Sequence, residues 1–259
     1  MNLSVHHIGS GPELVMLHGW GLHGMVFDTL AERLSSRFRI SLIDLPGHGH
    51  SPPLPHAFDL HDLSDAVAAA APARATWLGW SLGGMVATQL ALSAPSRVEK
   101  LILVTSSPRF STADDWPCAM DSAILDGFAQ ALRDDYRATL DRFLSLQIAS
   151  GSSTERQTLR RLRETVQHYP MPTEQALRDG LAILRSADLR NQLAGLSQSV
   201  LLILGERDRL VPAAIAPQIT KLLPSARIDI IKGAGHAPFL SHPQDFQKSL
   251  DAFVQEHHD

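Results

Sequence analysis

Trp77-Leu78-Gly79-Trp80-Ser81-Leu82-Gly83-Gly84-Met85 is the stretch on which the reading of this chain turns. Just before it, Ala75-Thr76-Trp77-Leu78 is a short apolar run of strand type. Downstream of the serine, Gly83-Gly84-Met85-Val86-Ala87-Thr88-Gln89-Leu90-Ala91-Leu92 is rich in small and apolar helix formers. Gly79-Trp80-Ser81-Leu82-Gly83 therefore places a serine on a tight strand-to-helix turn in the pattern G-x-S-x-G. Such a turn strains the serine backbone, and its flanking glycines avoid a collision that a Cβ would cause. The hydroxyl then sits near the N-terminus of the following helix, whose free N–H groups favour negative charge. The pattern is short enough to arise by chance. A base, an acid and oxyanion donors must be found elsewhere in the chain.

Working outward, short apolar runs recur at Leu14-Val15-Met16-Leu17, Arg39-Ile40-Ser41-Leu42-Ile43-Asp44 and Lys100-Leu101-Ile102-Leu103-Val104-Thr105. Two more follow at Val200-Leu201-Leu202-Ile203-Leu204 and Ile228-Asp229-Ile230-Ile231. Helical spacing separates them, notably over 27–34, in an alanine-rich stretch reaching Ala70 that Asp59 or Ser64 could cap, and over about 243–254. Strands without polar alternation, interleaved with helices, predict a mostly parallel central sheet with helices on both faces. The rhythm breaks between Thr105 and Val200. That interval holds amphipathic helical patterns over 125–146, 154–166 and 174–184 and no convincing strand. A structureless loop of that length is implausible, so a helical insertion is expected. The organisation predicted is one domain over 1–259, with a helical cap over approximately 109–190, inserted before the strand that leads to the acid.

The chain has 259 residues, 44% of them hydrophobic and 19% charged, as a soluble globular protein would. Its net charge of −4 gives no global footprint for nucleic acid. The single cysteine, Cys118, excludes an intramolecular disulfide and a Cys-based zinc site. Met1-Asn2-Leu3-Ser4-Val5-His6-His7 lacks a basic region followed by an apolar segment, and no run approaches the length of a membrane span. A cytoplasmic location is expected, with no membrane or nucleic-acid partner.

A serine needs a base to take its proton. Of 13 histidines, His236 stands out because it follows the last strand in Gly233-Ala234-Gly235-His236-Ala237-Pro238-Phe239, where glycines permit close approach. His242, before Pro243, is the competitor and reads better as a surface residue. The acid is expected just past a strand's C-terminal end. Asp208, in Leu204-Gly205-Glu206-Arg207-Asp208, satisfies this; Glu206 and Asp44 are alternatives. Glu206 could instead pair with Arg207 or Arg209, and Asp44 precedes the serine. The chain order Ser81, Asp208, His236 is the nucleophile–acid–base order of α/β-hydrolases. Oxyanion donors are expected from the Leu82 N–H and from the Trp20 N–H in His18-Gly19-Trp20-Gly21, directly after the Leu14–Leu17 run. The expected class is a Ser-His-Asp α/β-hydrolase needing no metal or organic cofactor.

The chain also resembles one family, the pimeloyl-[acyl-carrier protein] methyl ester esterases of biotin synthesis. The resemblance covers nearly its whole length. It shows in Leu17-His18-Gly19-Trp20-Gly21-Leu22, Asp44-Leu45-Pro46-Gly47 and Trp77-Leu78-Gly79-Trp80-Ser81-Leu82-Gly83-Gly84. It continues through Ser106-Ser107-Pro108-Arg109-Phe110-Ser111, Asp115-Trp116-Pro117, Arg142-Phe143-Leu144-Ser145-Leu146-Gln147 and His236-Ala237-Pro238-Phe239. The resemblance implies a helical cap over the serine. It also implies a substrate site formed by Trp20, Ser81, Leu82, Phe143, Leu144, Ser145, Leu146, Gln147 and His236. Taken alone, Phe128, Phe143, Leu144 and Leu146 could line an acyl chain or pack the cap's own core, and Gln147 could contact substrate or face water.

Arginines concentrate in the insertion, with Arg156, Arg160 and Arg163 on one helical face. Interleaved acids make part of this an ordinary salt-bridged surface. The resemblance assigns docking of an acidic carrier protein to Arg142, Arg156 and Arg160. The family has a further arginine near position 138, where this chain has Ala138. The activity implied is hydrolysis of the methyl ester of a pimeloyl chain on acyl carrier protein, by a monomer. Rivals are a general short-chain carboxylesterase, a carbon–carbon bond hydrolase on the same three residues, and a non-catalytic ligand-binding protein of the same fold.

Overall fold

The computed structural model describes residues 2–148 and 153–255. Seven strands form one sheet: β1 (Val5–Gly9), β2 (Glu13–Leu17), β3 (Arg39–Ile43), β4 (Ala75–Trp80), β5 (Val98–Val104), β6 (Ser199–Gly205) and β7 (Arg227–Ile231). Their spatial order is β1-β3-β2-β4-β5-β6-β7. Only β1 runs antiparallel, pairing Val5 with Ile43 and Gly9 with Arg39. The expected parallel sheet thus carries an antiparallel edge strand that its sequence concealed. The side chains of His6 and His7 leave β1 without an apolar run, because an edge strand need not be buried on both faces.

The strands β2 to β6 are buried on both faces, which is why they read as continuous apolar runs. Val15 and Leu17 of β2, Trp77 of β4, Leu101 of β5, and Val200, Leu202 and Leu204 of β6 enter one core. Leu14 and Met16, Leu78 and Trp80, Ile102 and Val104, Leu201 and Ile203 enter the other. The period of two sends neighbours to opposite faces. On the first side lie α2 (Leu60–Ala70) and α3 (Leu82–Ser93). On the second lie α1 (Asp28–Leu34) and, near the C-terminus, a helix over Pro243–Gln255. Asp59 starts α2 with a capping box: its side chain accepts from the His61 and Asp62 N–H groups while Asp62 accepts from the Asp59 N–H.

Between β5 and β6 the described residues contain four α-helices: α4 (Ser122–Asp134), α5 (Tyr136–Leu146), α6 (Ser153–Gln167) and α7 (Glu174–Ser186). The continuous helix expected over 125–146 is two. Asp135 takes an extended conformation, and its side chain caps α5 by accepting from the Ala138 N–H at 3.0 Å. An Asp gains more as a cap than inside a helix, so it breaks an otherwise unbroken amphipathic pattern.

The two ends of the insertion are tied together at its root. Leu189 N–H donates to the Pro108 carbonyl at 2.9 Å. Arg109 and Arg190 both donate to Asp188, at 2.9 and 2.7 Å, and Arg190 also meets Asp115 at 3.0 Å. These bonds hold the Asp188 carboxyl well below the usual carboxylate range. Against the sheet, α7 is anchored by Thr173 N–H to the Gly47 carbonyl at 2.8 Å and by Gln175 to the His56 carbonyl at 2.7 Å. The remaining α-helices among the described residues are α8 (Ala216–Leu222), α9 (Pro238–Ser241) and, last, α10, the Pro243–Gln255 helix.

Candidate active site

Four loops leave the C-terminal ends of β2, β4, β6 and β7 at one edge of the sheet, where open α/β sheets build their sites. The loop after β4 is the serine turn. Ser81 has φ 56° and ψ −118°, a conformation that L residues other than glycine rarely adopt and that costs of order 1–3 kcal/mol. Hydrogen bonds on both sides of the residue hold it. Its N–H donates to the Val104 carbonyl at 3.0 Å, and its own carbonyl accepts from Gly84 N–H at 2.9 Å and from Ser106 Oγ at 2.8 Å. The glycines at either side are obligatory in this packing. A Cβ on Gly79 would lie 2.4 Å from the Gly83 carbonyl oxygen, and one on Gly83 would lie 2.4 Å from that of Leu17.

Asp208 and His236 meet at the same edge. His236 Nδ1 lies 2.7 Å from Asp208 Oδ2, and both side chains are fully buried. The other Asp208 oxygen accepts from the Leu210 and Val211 N–H groups at 2.8 and 3.1 Å. An ionised carboxylate accepts only, so the shared proton sits on Nδ1 and Nε2 keeps its lone pair. That Nε2 is buried with no hydrogen-bond partner among the described residues, so no bond joins it to Ser81 in this state. Such bonds commonly tighten only when substrate binds. The backbone carbonyl of His236 accepts from Trp80 Nε1 and from Thr105 Oγ1, each at 2.7 Å.

The alternatives occupy other places. Glu206 accepts from the Gly233 N–H at 2.8 Å, bracing the loop that carries His236. Asp44 is buried and accepts from the Gly24 and His50 N–H groups at 2.7 and 3.0 Å. His242 is part-buried, with Nδ1 2.9 Å from Ser241 Oγ.

The loop after β2 is shaped by histidines whose part the sequence did not disclose. His18 Nδ1 pairs with the Gly19 carbonyl at 2.8 Å, and its Nε2 accepts from the Leu45 N–H at 2.9 Å. His48 Nε2 accepts from the Gly21 N–H at 3.3 Å, and its Nδ1 pairs with the Pro46 carbonyl at 3.0 Å. Both arrangements require neutral rings. Burial, reinforced by His48, pushes His18 well below its ordinary value. Burial brings His48 down to about 4. The Trp20 side chain reaches across to the insertion and donates to the Leu177 carbonyl at 2.8 Å. Leu82 opens α3, and its N–H lacks an intrahelical acceptor.

An apolar cavity lies beside Ser81, lined by Trp20, Phe110, Met120, Phe128, Phe143 and Leu181 among others. Its volume is about 10 Å³, room for about one water. Of the five residues 143–147, Phe143 alone belongs to this lining. Leu144 faces the opposite core. Ser145 Oγ donates to the Asp141 carbonyl and accepts from Arg163, at 3.0 and 2.9 Å. Leu146 is part-buried against the core. Gln147 is fully buried, facing neither water nor this cavity; its side chain donates to the Phe143 carbonyl at 2.9 Å. Its backbone carbonyl accepts from the Ala237 N–H at 2.9 Å, tying α5 to the loop of His236. A roomier cleft of about 480 Å³ lies between α1, α6 and α9, and its lining includes none of Ser81, Asp208 and His236. Among the described residues no group of His, Cys, Asp or Glu could hold a metal ion.

On the outer surface, Arg142, Arg156 and Arg160 are all exposed. Arg160 pairs loosely with Glu164 at 3.9 Å. Arg163 is committed to Asp141 at 3.0 Å, linking α6 to α5.

Sheet order, serine turn and insertion together define an α/β-hydrolase, and the α/β hydrolase fold family model matches residues 12–243. Relatives narrow the class. A pimeloyl-[acyl-carrier protein] methyl ester esterase from Pectobacterium atrosepticum is 47% identical over 246 residues, covering 94% of each chain. One of the same name from Aeromonas hydrophila is 44% identical, covering 98% of this chain and all of its own. The chain belongs to this esterase family within the α/β-hydrolases. In overall shape it matches an esterase from Exiguobacterium antarcticum, with a TM-score of 0.87 over 98% of this chain and 96% of the other at 24% identity. Among the described residues no helix is long and apolar enough to cross a membrane.

Proposed function

We propose that this chain is a serine esterase that hydrolyses the methyl ester of pimeloyl-[acyl-carrier protein], giving the free acid and methanol. The chemical part of the reading rests on the buried 2.7 Å bond between His236 and Asp208 at the sheet edge that also carries the strained Ser81 turn. The substrate comes from the relatives, whose names specify it and which match nearly end to end.

His236 Nε2 takes the proton of Ser81 Oγ as that oxygen attacks the ester carbonyl. The Trp20 and Leu82 N–H groups receive the oxyanion, and each such donor is worth about 3–4 kcal/mol in the transition state. His236 then protonates the departing methoxide. Water, deprotonated by His236, attacks the acyl-serine; collapse frees the carboxylic acid, and Ser81 Oγ recovers its proton. Asp208 holds the ring in the required tautomer and stabilises its cation. The apolar walls around Ser81 suit methylene groups, and the cavity must widen to admit them.

The carrier is acidic, and exposed Arg142, Arg156 and Arg160 offer it complementary charge. Docking there would leave the thioester outside and let only the distal ester reach Ser81. The same reading places the enzyme, a monomer, in the cytoplasm.

The test is turnover of pimeloyl-carrier methyl ester by purified protein, beside simple p-nitrophenyl esters, with Ser81→Ala as control. Release of methanol that Ser81→Ala abolishes is the expected result. Cleavage of small esters without the carrier substrate would reduce the protein to a general carboxylesterase. Complementation of a biotin auxotroph lacking this esterase checks the same point in cells.

A further inference from the structure

The end of β5 carries two adjacent buried hydroxyls that reach in different directions. Ser106 Oγ donates to the backbone carbonyl of Ser81 at 2.8 Å. Thr105 Oγ1 donates to the backbone carbonyl of His236 at 2.7 Å. Thr105 is fully buried, and its N–H donates to the Ile203 carbonyl at 2.7 Å, so its place is set by β6 as well. It also holds φ 41°, a region β-branched residues rarely enter. A residue kept there against its local preference is over-determined by its surroundings. From this position the hydroxyl meets the loop after β7.

That loop has little regular structure of its own. His236 follows Gly233-Ala234-Gly235, and the bond to Asp208 restrains only the ring. The backbone carbonyl is held by Thr105 and by Trp80, the residue next to Ser81.

We propose that Thr105 is a positioning residue for the base. Together with Ser106 it brackets the His236 loop and the Ser81 turn to a single strand end, setting the separation of Nε2 from Oγ. The proposal rests on the serine mechanism above. Trp80 leaves the His236 carbonyl satisfied when Thr105 is changed, so removing the hydroxyl loosens the loop without orphaning a buried acceptor.

The experiment measures kcat and KM on a p-nitrophenyl ester for Thr105→Val and Thr105→Ser. Rates are divided by the fraction of sites that a fluorophosphonate labels at completion, so misfolded protein is not counted. Thr105→Val keeps the shape and loses the donor; kcat per site should fall about tenfold with KM little changed, as a sub-ångström misplacement of a base predicts. Thr105→Ser restores the donor and should recover to within about threefold of the parent. Where Thr105→Val does not fold, Thr105→Ala, less crowded at this φ, takes its place. A kcat per site within about threefold of the parent for the hydroxyl-free variant overturns the proposal. So does a Thr105→Ser enzyme as slow as Thr105→Val, which would mark a packing role. The serine mechanism is judged separately: if Ser81→Ala retains turnover, that reading fails whatever Thr105 does.

Discussion

In the proposed mechanism the proton pathway depends on one tautomer. Asp208 takes two backbone N–H groups on one oxygen and His236 Nδ1 on the other, so its carboxylate is held facing the ring. Asp208→Asn would present an amide N–H to Nδ1 and favour the wrong tautomer. We expect kcat on a p-nitrophenyl ester to fall by about 10³–10⁴ while KM changes little. His48 offers a second residue-scale test, of stability. Its ring titrates at about 4 in the fold against 6.5 as the ordinary value, and burial is the main cause. Between those values the unfolded chain binds a proton that the folded chain does not. This contribution is therefore intact above the ordinary value and is lost as pH falls toward the folded one. Thermal midpoints recorded from about pH 7 to about pH 4 should fall more steeply for the parent than for His48→Gln. Equal slopes would mean that His48 is not the group responsible.

At the scale of elements, the insertion is held by its root and by α7 rather than by α5 and α6 alone. Asp188 accepts from two arginines where the chain leaves and re-enters the sheet. Asp188→Ala leaves both guanidiniums without that partner and should lower stability by about 1.5–3 kcal/mol, read from urea unfolding. Phe143 is the residue of α5 that faces both Trp20, at 4.8 Å between rings, and Phe128, at 5.9 Å. Phe143→Ala should cost about 3–5 kcal/mol in stability. It should also widen the space beside Ser81, so kcat/KM for bulky p-nitrophenyl esters should rise relative to the acetate. An unchanged ratio would show that Phe143 packs the insertion without bounding substrate. The break at Asp135 belongs to this scale too. Helical periodicity runs through it, and only the cap geometry reveals two helices.

For the whole molecule, charge is distributed rather than abundant. The net charge is −4, yet α5 and α6 each carry exposed arginines. If the carrier docks there, a triple Arg142→Glu, Arg156→Glu, Arg160→Glu variant should lose about 10–100-fold in kcat/KM on the carrier substrate at low salt. The deficit should shrink as salt is added, and p-nitrophenyl esters, which need no docking, should be cleaved at the parent rate. A variant equally impaired on both substrates would argue for a folding defect instead.

Sequence alone determined the alternation of strands and helices, because burial on both faces leaves continuous apolar runs and helices leave a 3.6-residue period. It also marked where chemistry could sit, since turns after strands must be glycine-rich wherever backbones approach closely. The placement of Asp208, His236, Ser81 and Trp20 past the ends of apolar strands was legible in this way. The edge strand β1 was not, because none of its residues is fully buried and its apolar residues, Val5 and Ile8, are not contiguous. Neither was the fate of residues 143–147, which a single turn of helix sends to different sides; only packing against two cores decided that Phe143 faces the cavity and Leu144 does not. The hydroxyl of Thr105 belongs with these. Nothing local distinguishes it from any strand-end threonine, and its contact with His236 exists only because β5 and the loop after β7 are brought together by the sheet.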